Sequence, residues 1–274
     1  MLLIKIGGGQ GTNFELISQD IARIKKNSLE QIIFVHGANA ARDQLADQLG
    51  KPTKRIISPS GVTSVHTDEK AIEILTMAYA GLINKRWVSH FIKNSTKAIG
   101  LSGIDGQLLV GQRKKVLISQ EGNTLSGTSK KVLIRNTYTG RVSQVNTDLL
   151  NLLLSAGYMP VITQPATTAD GVMINTDNDL NSALIASQMN VEKMVVLFEA
   201  SGMMRDINDP GSLIRRIAKD ELPEIIRYAQ GTMKKKVLGA IEALDNGVKE
   251  IYWGDSRIKN PISSALAGNG TVIS

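Results

Sequence analysis

The sequence predicts an α/β protein with a mainly parallel sheet. Residues 2–6 have the apolar composition of a buried strand and stop at three glycines. Residues 14–26 carry apolar side chains at helical spacing, and residues 31–35 form a second apolar strand that ends at small residues before another helix. Two successive strand–loop–helix units are typical of parallel βαβ folds. Ligands in such folds bind at the carboxyl ends of the strands, where both loops are expected to lie.

The rest of the chain continues this alternation around one insertion of a different kind. Residues 51–64 contain two prolines and Gly61, and we expect them to be irregular. Residues 108–145 are short β-prone segments rich in lysine and arginine, which predicts antiparallel hairpins at the surface. The other expected helices are residues 67–92, 147–156, one entered at 175–179, 220–228, 232–246 and 261–267; the other expected strands are residues 96–101, 159–163, 193–198, 250–253 and 271–273.

Composition and charge limit the class of protein. The 274 residues are enough for one large domain, and 42% hydrophobic with 21% charged residues is ordinary for a globular chain. Cysteine is absent, which excludes disulfides and thiolate metal sites. No apolar run approaches the roughly 20 residues that span a bilayer, and the first strand starts at the beginning of the sequence, so we expect a cytoplasmic protein without membrane association.

The formal net charge of +7 indicates an acidic partner or substrate, or only good solubility, and we favour phosphate ligands together with another anionic partner. Nucleic acid is the usual alternative for a basic protein. Aromatic residues make up only 4% of the chain, and no helix-turn-helix, zinc-finger or RNA-recognition motif is present. We therefore expect no nucleic-acid partner.

Lys5 is a charged residue inside the first apolar strand. An ammonium group in a central parallel strand is unfavourable unless an anion meets it. The glycines that follow, including Gly7 and Gly8, lack the Cβ that would keep a phosphate away from backbone N–H groups. A lysine beside such a loop indicates a phosphate-handling site. The alternative is a short edge strand with a solvated lysine and an ordinary turn.

Two helix starts concentrate polar groups. Residues 175–179 read Asn-Thr-Asp-Asn-Asp, and helix capping accounts for one of the two carboxylates but not readily for both together with the amides. Residues 234–236 are three lysines at the start of the helix expected over 232–246, where cations oppose the helix dipole and an incoming phosphate would relieve the conflict. Solvated lysines are the alternative for at least two of the three.

Four motifs together resemble the amino acid kinase family, and within it the N-acetylglutamate kinase group. They occur in order across nearly the whole chain, as Lys5-Ile6-Gly7-Gly8, His36-Gly37-Ala38, Asn175-x-Asp177-x-Asp179 and Gly231-Thr232-Met233-Lys234-Lys235-Lys236-Val237. Three further stretches are similar to the [LysW]-aminoadipate and [LysW]-glutamate kinase branch, namely Tyr138-Thr139-Gly140-Arg141, Tyr228-Ala229-Gln230-Gly231 and Asn260-Pro261.

The resemblance implies a three-layer αβα sandwich with a mainly parallel central sheet and a β-hairpin insertion. Residues 1–274 would form a single amino acid kinase domain, with an acceptor-binding lobe over about residues 1–165 and a nucleotide-binding lobe over about 166–274. The implied reaction is ATP-dependent phosphorylation of a side-chain carboxylate to an acyl phosphate. The acceptor would be 2-aminoadipate or glutamate attached to a small acidic LysW-type amino-group carrier protein, in lysine or arginine biosynthesis.

The resemblance also assigns roles to residues. Lys5 and Lys236 would flank the transferring phosphoryl group, and Asp179 would orient both lysines. A carboxylate nucleophile is ionised at neutral pH, so no catalytic histidine is needed and we expect His36 to be a packed, hydrogen-bonded residue. Mg²⁺ would travel on the nucleotide, with no metal held by the protein, and a homodimer or larger homo-oligomer is expected. The other assigned residues are Gly37, Ala38, Val65 and Asn175 for the substrate and Gly7, Gly8, Glu199, Ser201 and Gly202 for the nucleotide.

Three positions depart from the family pattern. Ala38 replaces the second glycine of the usual His-Gly-Gly run, and Glu199 replaces a shorter acidic residue. Val65 stands where the group usually has a substrate-binding arginine, so a bidentate carboxylate clamp is lost there unless His66 or a nearby lysine substitutes for it. Two alternatives therefore stay open: an N-acetylglutamate kinase acting on the free acetylated amino acid, and an inactive regulator that binds nucleotide or amino acid.

Overall fold

The computed structural model describes residues 1–59, 63–121, 130–206, 208–229 and 231–274. Its strands are β1 (Leu2–Ile6), β2 (Ile32–His36), β3 (Arg55–Ile57), β4 (Thr63–Val65), β5 (Ala98–Ser102), β6 (Leu109–Arg113), β7 (Val116–Glu121), β8 (Lys130–Arg135), β9 (Gly140–Val145), β10 (Met159–Thr163), β11 (Ala166–Thr168), β12 (Met173–Ile174), β13 (Lys193–Phe198), β14 (Met203–Met204), β15 (Leu213–Ile214), β16 (Arg216–Ile217), β17 (Glu250–Asp255) and β18 (Thr271–Ile273). Its α-helices are α1 (Phe14–Asn27), α2 (Asn39–Gln48), α3 (Glu69–Thr76), α4 (Asn84–Lys93), α5 (Thr147–Ser155), α6 (Asn178–Gln188), α7 (Leu222–Tyr228), α8 (Gly231–Asp245) and α9 (Pro261–Leu266).

The central sheet has eight strands in the order β16-β18-β17-β13-β1-β2-β10-β5. Each neighbouring pair is parallel except β17 and β18, which run antiparallel. The first strand therefore lies in the middle of the sheet, between β13 and β2. This confirms the predicted mainly parallel sheet and places the loop after β1 beside the loops after its two neighbours.

Helices cover both faces of this sheet. One core cluster joins alternate residues of β1, such as Ile4, to α1, α4 and α9 through Ile17, Trp87 and Ile262. The other cluster joins the opposite face of β1 and β2 to α5, α6 and α8. Strands buried on both faces read as continuous apolar runs, as residues 2–6 do. The predicted three-layer αβα sandwich is confirmed. In the described part of the chain, no helix is long and apolar enough to cross a bilayer.

The predicted hairpin insertion is also present. Strands β6 and β9 pair antiparallel within a second, four-stranded sheet of order β12-β11-β6-β9, and β7 and β8 form a separate two-stranded hairpin between them in the chain. Tyr138, at the foot of this hairpin, donates its N–H to the Thr67 carbonyl and accepts from the Asn175 N–H, both at 2.7 Å. The insertion is therefore fixed to the start of the segment that leads into α6.

Two predicted elements differ in detail. Residues 51–64 are not wholly irregular, because β3 and β4 pair antiparallel within them and both strands contain β-branched residues. The helix predicted over residues 67–92 is divided by a π-helical segment, Met77–Ile83, between α3 and α4. Gly61, Gln230 and the predicted hairpin residues 122–129 lie outside the described residues.

Candidate active site

The two glycine-containing loops after β1 and β2 touch each other. A Cβ on Gly8 would lie 2.4 Å from the Ala38 nitrogen, and a Cβ on Gly37 would lie 2.9 Å from the Gly8 nitrogen. Only glycine permits this approach at both positions. The Gly7 and Gly37 amides donate within the sheet, to the carbonyls of Leu197 and Ile6. The Gly8 amide has no acceptor among the described residues, which leaves it available to a ligand.

Lys5, Asp179 and Lys236 meet beside these loops. Lys5 is 3% exposed, and its Nζ donates to Asp179 Oδ1 at 2.5 Å. Lys236 Nζ lies 3.9 Å from the same oxygen. The structure thus brings together one buried ammonium group (Lys5), one largely buried ammonium group (Lys236) and one carboxylate (Asp179). They come from β1, α8 and α6, which are far apart in the sequence. A net positive charge remains where a phosphoryl group would be attracted.

The three charges shift one another's pKa. Burial lowers the pKa of Lys236 to about 8, and the neighbouring Lys5 charge adds to this while Asp179 opposes it. Burial also acts to lower the pKa of Lys5, but its direct contact with Asp179 outweighs that effect and raises the pKa above its usual value. Burial would raise the pKa of Asp179, and the charges of Lys236 and Lys5 reverse this, so its pKa lies below the usual range. The carboxylate is therefore ionised at neutral pH.

Helices α6 and α8 are held together at this point by two features. Asp177 caps α6 by accepting the Asp179 N–H at 2.9 Å, and its other oxygen lies 3.3 Å from Lys235 Nζ. Gly239, one turn after Lys236, allows the close approach, because a Cβ there would lie 2.9 Å from Asp179 Cβ. Of the lysines at 235 and 236, the first thus pairs with the cap and the second reaches the buried carboxylate.

The residues predicted for the acceptor side form a second group. Asn175 Nδ2 donates to Thr67 Oγ1 at 2.7 Å, and the Thr67 hydroxyl lies 3.2 Å from the Val65 carbonyl. Val65 stands directly opposite Arg55 in the β3–β4 pair. Arg55 Nη2 in turn contacts Asp43 at 2.8 Å. The cross-strand neighbour of Val65 is therefore an arginine, which the linear sequence does not reveal.

Glu199, predicted for the nucleotide side, lies against the first glycine loop. A Cβ on Gly9 would overlap its carboxylate. Its Oε1 is buried without a hydrogen-bond partner among the described residues, as are Thr12 Oγ1 and Ser256 Oγ. Buried oxygens without a hydrogen-bond partner are rare in folded proteins, and these three could each accept a hydrogen bond from a ligand. Gly202 packs against Thr271 at the start of β18, and the Ser201 carbonyl lies close to Gly270.

The sequence did not indicate that Tyr79 and Asn39 belong to the region around the loop after β2. Tyr79 lies within the helix predicted over residues 67–92, and its buried hydroxyl donates to Asn39 Oδ1 at 2.6 Å, while burial raises its pKa. The signal was available, because a buried tyrosine usually finds a partner for its hydroxyl. The prediction for His36 is confirmed: it contacts the Gly37 carbonyl and Asn84, and burial lowers its pKa to about 4.

Known proteins resemble the chain in both sequence and fold. The sequence pattern of the amino acid kinase family matches residues 1–252. The chain is 42% identical to the [LysW]-aminoadipate kinase of Thermus thermophilus, with 100% of both chains covered, and 40% identical to that of Deinococcus radiodurans, with 100% of this chain and 91% of the relative covered. Among solved structures, N-acetylglutamate synthase of Neisseria gonorrhoeae has a TM-score of 0.79 at 21% identity, covering 100% of this chain and 59% of that one.

A carbamate kinase of Giardia has a TM-score of 0.64 at 15% identity and covers 99% of this chain and 97% of its own. At these identities the solved structures support the fold alone, while the family pattern and the full-length relatives carry the assignment. The protein that unites Lys5, Asp179 and Lys236 on this sheet belongs to the amino acid kinase family and is a nucleotide-dependent phosphotransferase.

Proposed function

We propose that the protein is an ATP-dependent kinase that phosphorylates the side-chain carboxylate of 2-aminoadipate or glutamate attached to a LysW-type carrier protein. The product is an acyl phosphate on the way to lysine or arginine. The observation that carries the proposal is the largely buried cluster of Lys5, Asp179 and Lys236 beside the two glycine loops. Full-length relatives named [LysW]-aminoadipate kinase support the acceptor.

The two lysines have the properties that phosphoryl transfer requires. The acceptor carboxylate oxygen forms a bond to the γ-phosphorus while the bond from that phosphorus to the β-phosphate oxygen breaks. Charge shifts onto the phosphoryl oxygens and the leaving group, and preorganised cations in a site without bulk water stabilise it. Lys5 and Lys236 supply these cations, and the negative charge of Asp179 offsets the repulsion between the two ammonium groups. No general base is needed, because the acceptor is already ionised.

The glycine loops provide room and donors for the phosphates. The close contact of Gly8 with Ala38 leaves no side chain between them, and the Gly8 amide has no acceptor among the described residues. These features fit a bound triphosphate. Gly7 and Gly37 would contribute only by lacking a side chain that blocks the phosphates, since their amides already donate to Leu197 and Ile6. Mg²⁺ bound to the nucleotide would neutralise the β- and γ-phosphates.

Asn175, Val65 and Ala38 are proposed to receive the amino-acid end of the acceptor. Thr67 joins Asn175 to Val65 by hydrogen bonds, so these residues form one wall. Arg55, opposite Val65, is the cation proposed to meet a carboxylate or carbonyl of the acceptor in place of the family arginine. The cation that binds the acceptor would then come from β3 (Arg55) instead of from the Val65 position on β4.

Glu199, Ser201 and Gly202 are proposed to contact the nucleotide. Buried oxygens of Glu199, Thr12 and Ser256 without partners support a ligand at this end of the edge. The strand order supports the proposed two lobes, since β1, β2, β10 and β5 come from about residues 1–165 and β13, β17, β18 and β16 from about 166–274. We assign acceptor binding to the first group and nucleotide binding to the second.

We further propose that the enzyme is a cytoplasmic homo-oligomer, a dimer or larger. Exposed apolar side chains along the α3–α4 segment support this, with Met77, Leu82 and Ile92 between 47% and 60% exposed. Sedimentation velocity of the wild-type protein tests the oligomeric state, and a monomer at micromolar concentration would contradict it.

The deciding experiment is ATP turnover with hydroxylamine trapping of the acyl phosphate. Acceptors are N-acetylglutamate, and glutamate and 2-aminoadipate each attached to a LysW carrier. We expect turnover only on carrier-linked acceptors, and loss of turnover in Lys5→Ala and Lys236→Ala with the fold retained. Lys235→Ala is the matched control, because Lys235 pairs with the α6 cap rather than with Asp179.

The other results have distinct meanings. Turnover on free N-acetylglutamate would replace the proposal with an N-acetylglutamate kinase. Nucleotide binding without turnover on any acceptor would indicate a regulator.

A further inference from the structure

The β7–β8 hairpin has one face made of apolar and cationic side chains. The antiparallel register sets Ile118 directly opposite Leu133 and Val116 opposite Arg135, so all four side chains share this face. Lys131, two residues before Leu133, lies on it as well. The three apolar side chains are 45%, 58% and 43% exposed for Ile118, Leu133 and Val116. We refer to Val116, Ile118, Lys131, Leu133 and Arg135 as the outer face.

The opposite face of the hairpin is turned toward the protein. Ser119, on that face, is only 3% exposed, and Leu117 and Ile134 are half-buried. Strand β7 packs against β3. The hairpin is therefore supported from one side, while its outer face remains open to solvent among the described residues. Isolated exposed apolar residues are common, but a contiguous group rimmed by charges marks an interaction surface.

The described charged side chains on the outer face and in the adjoining residues 113–119 and 131–137 are all positive. Among the described side chains of residues 113–119 and 131–137, there are five cations and no carboxylate. A second copy of this chain, with its net charge of +7, would be repelled there. An acidic protein surface with some apolar area complements both features.

The foot of the hairpin leads to the proposed acceptor site. Arg113 Nε donates to the Thr137 carbonyl at 2.7 Å, and its guanidinium lies 4.1 Å from the centre of the Tyr138 ring. The Tyr138 carbonyl accepts from the Asn175 N–H. Asn175 is two residues before the α6 cap and four before Asp179. The contacts of Arg113 with Tyr138 and of Tyr138 with Asn175 thus lead from the foot of the hairpin to the proposed acceptor site, where an amino acid attached to the bound protein would react.

We propose that the outer face is the docking surface for an acidic carrier protein that presents the acceptor amino acid. This inference rests on the proposed function, because it assumes that the acceptor arrives attached to a protein. The apolar residues would be buried against the carrier, and the charges of Lys131 and Arg135 would orient the carrier and raise its association rate.

The test uses two double variants of the full chain. Ile118→Ser with Leu133→Ser removes the apolar part, and Lys131→Glu with Arg135→Glu reverses the charge. Matched single controls on other exposed surface are Leu29→Ser, at 103% exposure, and Lys26→Glu at the end of α1. For each protein we would measure kcat and KM with LysW carrying 2-aminoadipate, direct LysW binding by calorimetry, ATP affinity and urea unfolding.

We expect each double variant to raise KM and the LysW dissociation constant by about tenfold or more, which corresponds to about 1.4 kcal/mol or more. The values of kcat, ATP affinity and unfolding midpoint should stay near those of the wild type. The charge variant should also lose most of the salt dependence of KM. Both controls should behave as the wild type.

Three results would overturn the inference. The first is unchanged KM and LysW affinity in both double variants while the wild type turns over the carrier-linked acceptor, which leaves the proposed function intact. The second is absence of LysW binding to the wild type. The third is self-association of the wild type that both double variants abolish, which would assign the outer face to a second copy. If turnover fails but LysW binds and the double variants weaken that binding, the docking surface stands and the proposed reaction fails.

Discussion

Asp179 offers the sharpest test of the active-site electrostatics. Its Oδ1 lies 2.5 Å from Lys5 Nζ and 3.9 Å from Lys236 Nζ. At 3.9 Å, Coulomb's law with an effective dielectric constant of about 20 gives about 4 kcal/mol of attraction. This energy corresponds to about a thousandfold change in a protonation equilibrium. Because burial already lowers the pKa of Lys236 to about 8, the substitution Asp179→Asn should bring that pKa below neutral.

The consequence is a shift in the pH dependence of turnover. In the proposed mechanism, protonated Lys236 is the form that stabilises the phosphoryl group, so activity should be lost as pH rises through its pKa. We expect the wild-type rate to fall above about pH 8 and the Asp179→Asn rate to fall already below neutral pH. At pH 7.5, kcat should drop by about 10²-fold or more, the size of loss seen when one preorganised donor is removed. The assay is acyl-phosphate trapping across the pH range.

Asp177→Asn is the matched control. Asparagine also caps helices, so α6 should start as before, and Asp177 contacts Lys235 rather than Lys236. Asp177 also raises the pKa of Lys236, but less than Asp179 does, so we expect a much smaller shift of the pH profile than in Asp179→Asn. The electrostatic argument is wrong if folded Asp179→Asn keeps the wild-type decline at alkaline pH. Urea unfolding at each pH establishes that the variant is folded, since breaking a buried ion pair can cost about 3–5 kcal/mol.

Three further predictions concern packing and stability. Gly239→Ala sets a methyl group 2.9 Å from Asp179 Cβ, so we expect a lower kcat and about 1–3 kcal/mol lower unfolding free energy; an unchanged kcat would contradict the tight contact. Burial lowers the pKa of His36 to about 4, so between pH 6.5 and 4 the unfolded chain binds a proton that the folded protein largely does not. Acidification over this range should therefore lower the free energy of unfolding by about 3 kcal/mol. In urea titrations, His36→Gln should reduce this dependence of the unfolding free energy on pH. Asp20 is fully buried and accepts hydrogen bonds from the Ile262 N–H, the Ser263 N–H and the Ser263 hydroxyl at 2.8, 2.9 and 2.6 Å. Asp20→Ala leaves these donors without an acceptor, so it should lower the free energy of unfolding by about 3 kcal/mol. A urea midpoint equal to that of the wild type would refute this assignment.

Much of the fold could be predicted because its signals are local. A strand buried on both faces must be apolar along its whole length, and the run from Leu2 to Ile6 is such a strand at the centre of the sheet. The π-helical segment Met77–Ile83 could not be predicted, because its residues keep the apolar spacing of an ordinary helix. The pairing of β3 with β4 was also missed, since each strand has only three residues and gives little periodic signal.

The candidate site divides in the same way. Lys5 could be recognised from one chain position, because a charge inside an apolar strand requires a counter-charge wherever the chain folds. Its partner Asp179 is 174 residues away, and the motif suggested the pair without fixing their 2.5 Å contact. Arg55 was not identified, because it meets Val65 only through strand register.

The sequence by itself therefore determined the class of fold and most strands of the central sheet, and it predicted the residue types that are proposed to handle phosphate. These properties follow from periodicity, from glycine's missing side chain and from the cost of burying a charge, which act at each position separately. Tertiary structure decided which of the lysines reaches Asp179, which glycines act through shape and which through a free amide, and which face of the hairpin is open. Those outcomes depend on distances between segments that are remote in the chain, and burial and Coulomb energies change steeply over a few ångströms.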